Sequence, residues 1–228
     1  MKAIKFLFIA LGIACLGMTF QSCLDDDDNT WSDRYPNALV TVKPVSGTSF
    51  YMQLDDSTTL LPTNITSSPY GNKEVRALVN LKEVNESSGG YDKAVYINWI
   101  DSIRTKAIAP DMGLNNDSIY GTDPVEIIRD WVTLVEDGYL TLRFRTIYGD
   151  YGKAHFVNLL ASTDPANPYE VEMRHNAYGD TYGREKDALI AFDLRSLPDT
   201  GGSTVKLKLK WKSFSGDKSF EFDYCTPR

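Results

Sequence analysis

"STVKLKLKWKSF", residues 203–214, and "KSFEFDYC", residues 218–225, are two alternating runs separated by a few turn-forming residues. In the first, Val205, Leu207, Leu209 and Trp211 alternate with Lys206, Lys208, Lys210 and Lys212; in the second, Phe220, Phe222 and Tyr224 alternate with Glu221 and Asp223. A period of two sends successive side chains to opposite faces of a strand. The two runs therefore predict an antiparallel hairpin with one buried and one charged face. A two-residue turn at Gly216-Asp217, with glycine supplying the positive φ such turns need, sets Lys212 against Glu221, Lys210 against Asp223 and Trp211 against Phe222. A slip of one residue would put lysines opposite phenylalanines, so the faces are strongly specified.

The same signature extends through the second half of the chain, with strands expected at 125–135, 139–147, 155–161, 169–177 and 187–195 ahead of the hairpin. Their short spacing fits an antiparallel β-sandwich over 125–228. Upstream, "NALVTVKPV" (37–45), "SFYMQLDD" (49–56), "EVRALVNLKEV" (74–84) and "KAVYINWIDSI" (93–103) are rich in β-branched and aromatic residues. They are expected to form a smaller all-β domain over 35–106. Between the two, 107–124 carries prolines, glycines and paired asparagines and is expected to be a linker.

The N-terminus is of another kind. Met1 to Lys5 holds two lysines and no acid, and Phe6 to Phe20 is almost wholly apolar, which is the pattern of a secretory signal over 1–22. The apolar run is shorter than the roughly 20 residues needed to span a bilayer. "QSCLDDDDNT" (21–30) then passes from apolar residues to four aspartates across Cys23. Cys23 resembles the acylated cysteine of bacterial lipoproteins, and Asp25, Asp26, Asp27 and Asp28 resemble the surface-export signal of Bacteroidetes lipoproteins. Residues 23–34 are thus expected to be an acidic tether, with the membrane as a partner through a lipid on Cys23 and the outer membrane, facing outward, as the location. A cleaved signal followed by a solvated linker is the plainer alternative. Tested as a calcium loop from Asp25, the run places Thr30 and Pro36 where glycine and glutamate are required, and the match fails. Loss of the leader removes Cys15 and acylation uses Cys23, which leaves Cys225 without an intramolecular disulfide partner.

Removing Lys2 and Lys5 from the 24 basic side chains leaves 22 against 31 acids, a formal charge of −9 for the processed chain. Such an acidic surface repels phosphate backbones and argues against nucleic acid. No catalytic or metal-binding motif stands out: G-x-S-x-G, H-E-x-x-H, C-x-x-C and a Walker loop are all missing, and no cofactor is implied. In "YEVEMRH" (169–175), parity puts His175 on the apolar face with Val171 and Met173, as a hydrogen-bonded core histidine; His155 opens a strand beside a loop. Two acid pairs, Asp55-Asp56 and Glu136-Asp137, are the candidates for a carboxylate-dependent hydrolase acting on surface glycans. Each also has the composition of a turn.

The more informative pattern lies in loops. "YGDYGK" (148–153) and "YGDTYGR" (178–184) share spacing, and "YGTD" (120–123) is a shorter relative. Strands of a meander alternate in direction, so these loops and the hairpin turn are expected at one end of the sandwich. Tyr120, Tyr148, Asp150, Tyr151, Tyr178, Asp180 and Tyr182 then form a candidate binding surface, since tyrosine offers a flat apolar face with a polar tip for a glycan or a protein partner. Tyr-Gly is also ordinary turn chemistry, each ring covering its own hairpin, and the pattern alone does not separate the two. Oligomeric state is not specified.

Taken together, "FYMQLDDSTTLLPTN" (50–64), "EVRALVNL" (74–81), "VYINWIDSI" (95–103) and "VEDGYLTLRFRT" (135–146) resemble the NigD-like lipoproteins of Bacteroidetes. The resemblance implies an N-terminal OB-type small barrel followed by a C-terminal β-sandwich. It also implies a possible bacteriocin-linked role, immunity or accessory, without a defined biochemical activity. The expectation is a noncatalytic binding protein.

Overall fold

In the computed structural model, residues 32–47 and 49–227 are described. The leader, Cys23 and the aspartates 25–28 lie outside them. The first domain is a closed five-stranded barrel of β1 (Ala38–Pro44), β2 (Phe50–Gln53), β3 (Thr59–Pro62), β4 (Val75–Glu83) and β5 (Lys93–Ser102), in the order β1-β2-β3-β5-β4. β3 was not expected from sequence. It is four residues long, ends on Pro62, and is fixed by long-range parallel pairing with β5. Val40, Val42, Met52, Leu60, Ala77 and Val79 fill the barrel.

The second domain has two facing sheets. One is ordered β10-β11-β13-β14, from β10 (Phe156–Ala161), β11 (Glu170–Asn176), β13 (Val205–Ser213) and β14 (Gly216–Tyr224). The other is ordered β6-β12-β9-β7, from β6 (Thr105–Ala107), β7 (Glu126–Ile128), β9 (Tyr139–Tyr148) and β12 (Arg184–Asp193), with β8 (Leu134–Glu136) also paired to β9. The inner faces meet through Leu140, Leu142, Leu159, Phe192, Leu207 and Leu209. An all-β chain, small barrel then sandwich, is thus the fold, with two parallel joins, β11 to β13 and β6 to β12, in an otherwise antiparallel sandwich.

Three local expectations are corrected. The expected strand 125–135 is broken at residues 129–133, where Thr133 Oγ1 donates to the Ile128 carbonyl at 2.6 Å and reshapes the chain between β7 and β8. The expected linker 107–124 is folded onto the sandwich: β6 pairs with β12, Ala109 bridges to Leu160, and Ile108 packs against the core. It also contains a short helix, α1 (Asn116–Tyr120). Finally, the hairpin turns at Phe214-Ser215 and not at Gly216-Asp217, because Ser213 pairs with Gly216. The Ser213 hydroxyl explains the choice, accepting the Ser215 N–H at 3.2 Å while donating to Glu126 at 2.6 Å. Gly216, with φ of 107°, absorbs the backbone just past the turn. Lys208 therefore faces Glu221, Lys206 faces Asp223, Leu207 faces Phe222 and Trp211 faces Lys218. The displacement is even, so the buried and charged faces are as the alternation required.

The domains share a buried joint. β1 is buried on both faces: Ala38, Val40 and Val42 point into the barrel, while Leu39 joins Ile103, Val132 and Ala191 beneath the sandwich. At its centre lies Arg76 of β4, with no exposed surface. Its Nη1 donates to Thr41 Oγ1 at 3.0 Å, its Nε reaches Thr141 Oγ1 at 3.4 Å, and its Nη2 stands 3.6 Å from a Glu136 carboxylate oxygen. Burial pulls the guanidinium below its ordinary pKa, and the Glu136 charge opposes that pull. Replacing Arg76 by Ala leaves a void and unpaired hydroxyls, and is expected to cost about 3–5 kcal/mol in urea unfolding. Arg76→Met keeps most of the stem's packing and is expected to cost about 1–3 kcal/mol.

Candidate functional site

The sandwich end remote from the barrel is built by three loops and a hairpin tip. β9 runs from Tyr139 at the joint to Tyr148 at this end, which at about 3.3 Å per residue is about 30 Å. The loop 149–155 returns the chain to β10, the loop 177–183 joins β11 to β12, and residues 121–125 enter β7 between them. Asp123 N–H donates to the His175 carbonyl at 3.0 Å, and Ala177 N–H donates to Asp123 Oδ2 at 2.8 Å. All three loops therefore converge.

Glycine makes the convergence possible. A Cβ at Gly149 would lie 2.1 Å from the Tyr182 carbonyl oxygen, and one at Gly183 would lie 2.4 Å from that of Tyr148. The two Tyr-Gly motifs are thus packed backbone to backbone, and their glycines are required by that approach. Their aspartates diverge in role. Asp150 is an exposed turn acceptor for Gly152 N–H at 2.8 Å. Asp180 is buried and accepts from the amides of Gly149 and Asp150, at 3.1 and 3.0 Å, and from His155 Nε2 at 3.1 Å. Those bonds, led by the Asp150 amide, hold its carboxyl below the usual range.

The tyrosines also separate. Tyr120 is only 8% exposed and its hydroxyl donates to the Pro110 carbonyl at 2.8 Å, so it does not belong to the surface predicted for it. α1 turns this ring against the sandwich, while Gly121 carries the backbone so close to β11 that a Cβ there would sit 2.4 Å from the His175 oxygen. Tyr148 is half-buried, donates to the Lys153 carbonyl at 2.6 Å, and meets Tyr151 edge-on at 5.7 Å. Tyr151, Tyr178 and Tyr182 are 80%, 56% and 85% exposed. Lys186 Nζ lies 3.9 Å from the centre of the Tyr151 ring. Tyr178 has a φ of 50°, an unusual value for a tyrosine, and its ring meets Phe156 edge-on at 5.7 Å. Phe156 and Phe214 add exposed apolar rings that the sequence did not single out. Phe156 begins β10 and Phe214 occupies the displaced hairpin turn, so neither position was recognisable from a Tyr-Gly pattern.

Beneath these rings the two histidines form a buried chain. His155 Nε2 faces Asp180 Oδ2 at 3.1 Å, His155 Nδ1 faces His175 Nε2 at 3.1 Å, and His175 Nδ1 faces the Pro124 carbonyl at 3.3 Å. Both ends are acceptors. Three gaps need three protons, and two neutral imidazoles carry only two. All three contacts are hydrogen bonds at once only when one ring is charged. Burial, reinforced by the neighbouring His155, disfavours protonation of His175 and lowers its pKa. His175 is then a neutral ring, with its proton on Nδ1 facing the Pro124 carbonyl. A small cavity of about 90 Å³ lies alongside, lined by Asp123, Thr146, His175, Asp180, Thr181 and Phe214. The chain of groups holds the loops together, but no serine or cysteine nucleophile stands within hydrogen-bond reach of either imidazole among the described contacts.

The two acid pairs lie at the joint, at the opposite end of β9. Asp55 Oδ1 accepts from Ser57 N–H, Ser57 Oγ and Thr58 N–H within its own turn. Asp137 and Gly138, both at positive φ, make the tight β8–β9 turn, and Asp137 N–H donates to Asp56 Oδ1 at 2.8 Å. Among the described residues, no group of three or more His, Cys, Asp or Glu side chains is placed to hold a metal ion, and no helix is long and apolar enough to cross a membrane.

Comparison with known proteins gives matches over both domains. The family described as the NigD-like N-terminal OB domain matches residues 39–103, and the NigD-like C-terminal beta sandwich domain matches residues 107–224. A solved structure from Parabacteroides distasonis, provisionally described as a toxin-related protein, is 37% identical, with a TM-score of 0.69 over 83% of this chain and 92% of that one. A NigD-like immunity protein from Bacteroides caccae shares the fold at 20% identity, with a TM-score of 0.57 over 82% of this chain and 96% of that one. So does a chain from Bacteroides fragilis provisionally described as a lipoprotein, at 14% identity and a TM-score of 0.56, over 84% of this chain and 98% of that one. No curated protein matches the chain.

The histidine chain has a pH signature. An unfolded His175 takes a proton near its ordinary pKa of 6.5, whereas the folded one takes it only at lower pH. The stability contributed by neutral His175 is therefore fully present above that value and is lost as pH falls below it. The urea midpoint is expected to drop between about pH 7 and 5, and to drop less in His175→Gln. Nitrogen-15 spectra of the rings should show His175 neutral, with its proton on Nδ1, at the pH of highest stability.

Proposed function

Because the chain belongs to the NigD-like family, matching both of its domains in order, we propose that it is a noncatalytic, partner-binding lipoprotein of the cell envelope. Acylation at Cys23 ties it to the outer membrane and Asp25 to Asp28 direct it to the exterior; the aromatic end of the sandwich engages the partner. The observation that carries the reading is the gathering of exposed Tyr151, Tyr178 and Tyr182 with Phe156 and Phe214 at one end. Rings held by rigid backbone lose little conformational freedom on binding, and aromatic anchors dominate many interfaces. Geometry favours this end for a tethered protein. The first described residues attach to the barrel, where Asn80 donates to the Ser32 carbonyl, so the rings stand at the far end of the sandwich from the barrel and its tether. A bacteriocin-linked role is drawn from the description of the B. caccae relative as an immunity protein, and would make the partner a protein.

A second reading is a carboxylate-dependent hydrolase acting on surface glycans. One observation favours it: burial holds Glu136 above the usual carboxylate range, while Asp55, against the opposing effect of burial, is held below it by hydrogen bonds from Ser57 and Thr58. Opposed shifts of this kind mark acid and base pairs in some enzymes. Here Asp55 is committed to its turn and Glu136 to the charge of Arg76, which makes binding the stronger reading.

In native-host cells carrying the tagged full chain, crosslinking is expected to capture a partner that the Tyr151→Ala, Tyr178→Ala, Tyr182→Ala triple variant loses by at least about tenfold, since each anchor ring is worth about 1–2 kcal/mol or more. Equal capture by both chains would overturn the role of the rings. Mass spectrometry of the same material is expected to show acyl chains on Cys23, and an unmodified Cys23 would overturn the anchor.

A further inference from the structure

We propose that the cleft between barrel and sandwich is a second site, which binds a hexose-sized sugar unit. The cleft encloses about 380 Å³ and is walled by Lys43, Tyr51, Gln53 and Asp56 from the barrel and by Asp137 and Cys225 from the sandwich. That size falls within the range of small-molecule pockets, which occur preferentially where domains meet.

Three features of the wall point to a hydroxylated ligand. Asp137 is nearly buried, and only one of its oxygens is paired, to Lys43 Nζ at 2.7 Å; the other, Oδ2, has no hydrogen-bond partner among the described residues. A desolvated carboxylate oxygen left without a donor is unusual in a folded protein, and it adds negative potential beside the cleft. Gln53 donates its amide nitrogen to the carbonyls of Asp55 and Thr58, at 2.7 and 3.3 Å, which leaves its side-chain oxygen as an acceptor. Asp56 is exposed, with one oxygen on the Asp137 amide. The wall thus sets carboxylate and amide acceptors beside the remaining hydrogens of Lys43 and the Tyr51 hydroxyl, and a polyhydroxylated ligand, which both donates and accepts, matches that mixture. Its two carboxylates, only one of them balanced by Lys43, repel phosphates and carboxylates. A metal ion lacks the necessary group of ligating side chains among the described residues.

The aromatic part of the wall fits the same ligand. Tyr51 stacks on Tyr91 with ring centres 5.0 Å apart and planes at 27°, which fixes it as a flat apolar panel beside the polar groups. A sugar ring presents C–H groups on its faces and hydroxyls around its rim, and the pairing of a panel with a set of acceptors matches both.

Cys225 provides the readout, since it is a half-buried free cysteine among the residues of the wall. Alkylation of Cys225 in the full chain, followed by peptide mass spectrometry, would be run with glucose, galactose, mannose, glucosamine and N-acetylglucosamine, beside calorimetry of each. At least one sugar is expected to bind saturably and to slow alkylation several-fold. Asp56→Asn removes an exposed charge, so the urea midpoint is expected to hold while affinity falls about tenfold; Tyr51→Ala is expected to abolish protection. The Tyr151→Ala variant should protect Cys225 as well as the unaltered chain does, which separates this site from the aromatic end. The proposal is overturned if none of the five sugars slows the reaction, or if Asp56→Asn and Tyr51→Ala bind as the unaltered chain does.

Discussion

A cation with no access to water joins the two halves of this molecule. Arg76 sits on the outer face of a barrel strand, where alternation places it opposite Val75, Ala77 and the barrel core. The sandwich covers it, with Thr141 from β9 accepting a hydrogen bond and Glu136 at the end of β8 supplying the opposing charge. Removing a guanidinium from water is costly unless its hydrogen bonds are replaced, and that constraint fixes which strands can face each other across the joint. Thr41 and Thr141, both fully buried, each lie on the reverse face of a strand whose other face builds a core. Lys43 with Asp137, and Arg195 with Glu74, add ion pairs around the same seam. The seam orients the sandwich, and through β9 it sets how far the aromatic end stands from the barrel.

That end is rigid for a different reason. Two loops are pressed together so closely that only glycine fits at Gly149 and Gly183. Asp180 then replaces the missing backbone partners, collecting two amide donors and an imidazole from the opposite loop. The histidine chain extends this clamp to the Pro124 carbonyl, so three separate segments share one set of protons. Rings mounted on such a base are presented in fixed positions, which is what an anchor for a partner requires. The cleft at the joint has another character. It is polar and lies beside the seam, and its unmatched Asp137 oxygen contrasts with the well-satisfied network at the far end.

The fold was legible to the extent that it depends on alternation. "STVKLKLKWKSF" and "KSFEFDYC" assigned the buried and charged faces of β13 and β14, and the five-residue buried run of β1 could be recognised as a strand. Strand β3 was missed because four residues ending in proline carry too little pattern, and its place depends on pairing with β5 some thirty residues away. At the candidate site, parity placed the three loops at one end and His175 inside. It could not tell Tyr120 from Tyr151, because a Tyr-Gly pair looks the same whether its glycine permits a turn or a close approach to another strand.

By itself, then, the sequence determined an all-β chain with an acidic balance and a face for each side chain of its regular strands. A period of two specifies faces without reference to any partner, so local order suffices. Tertiary structure decided the hairpin register, through the hydroxyl of Ser213 and its bond to Glu126 on another strand. It also decided the contrast between Asp150 and Asp180, the joining of His155 to His175, and the meeting of Asp56 with Asp137. Each of these depends on groups twenty to ninety positions apart coming within about 3 Å, and hydrogen bonds act over that distance whatever the separation along the chain.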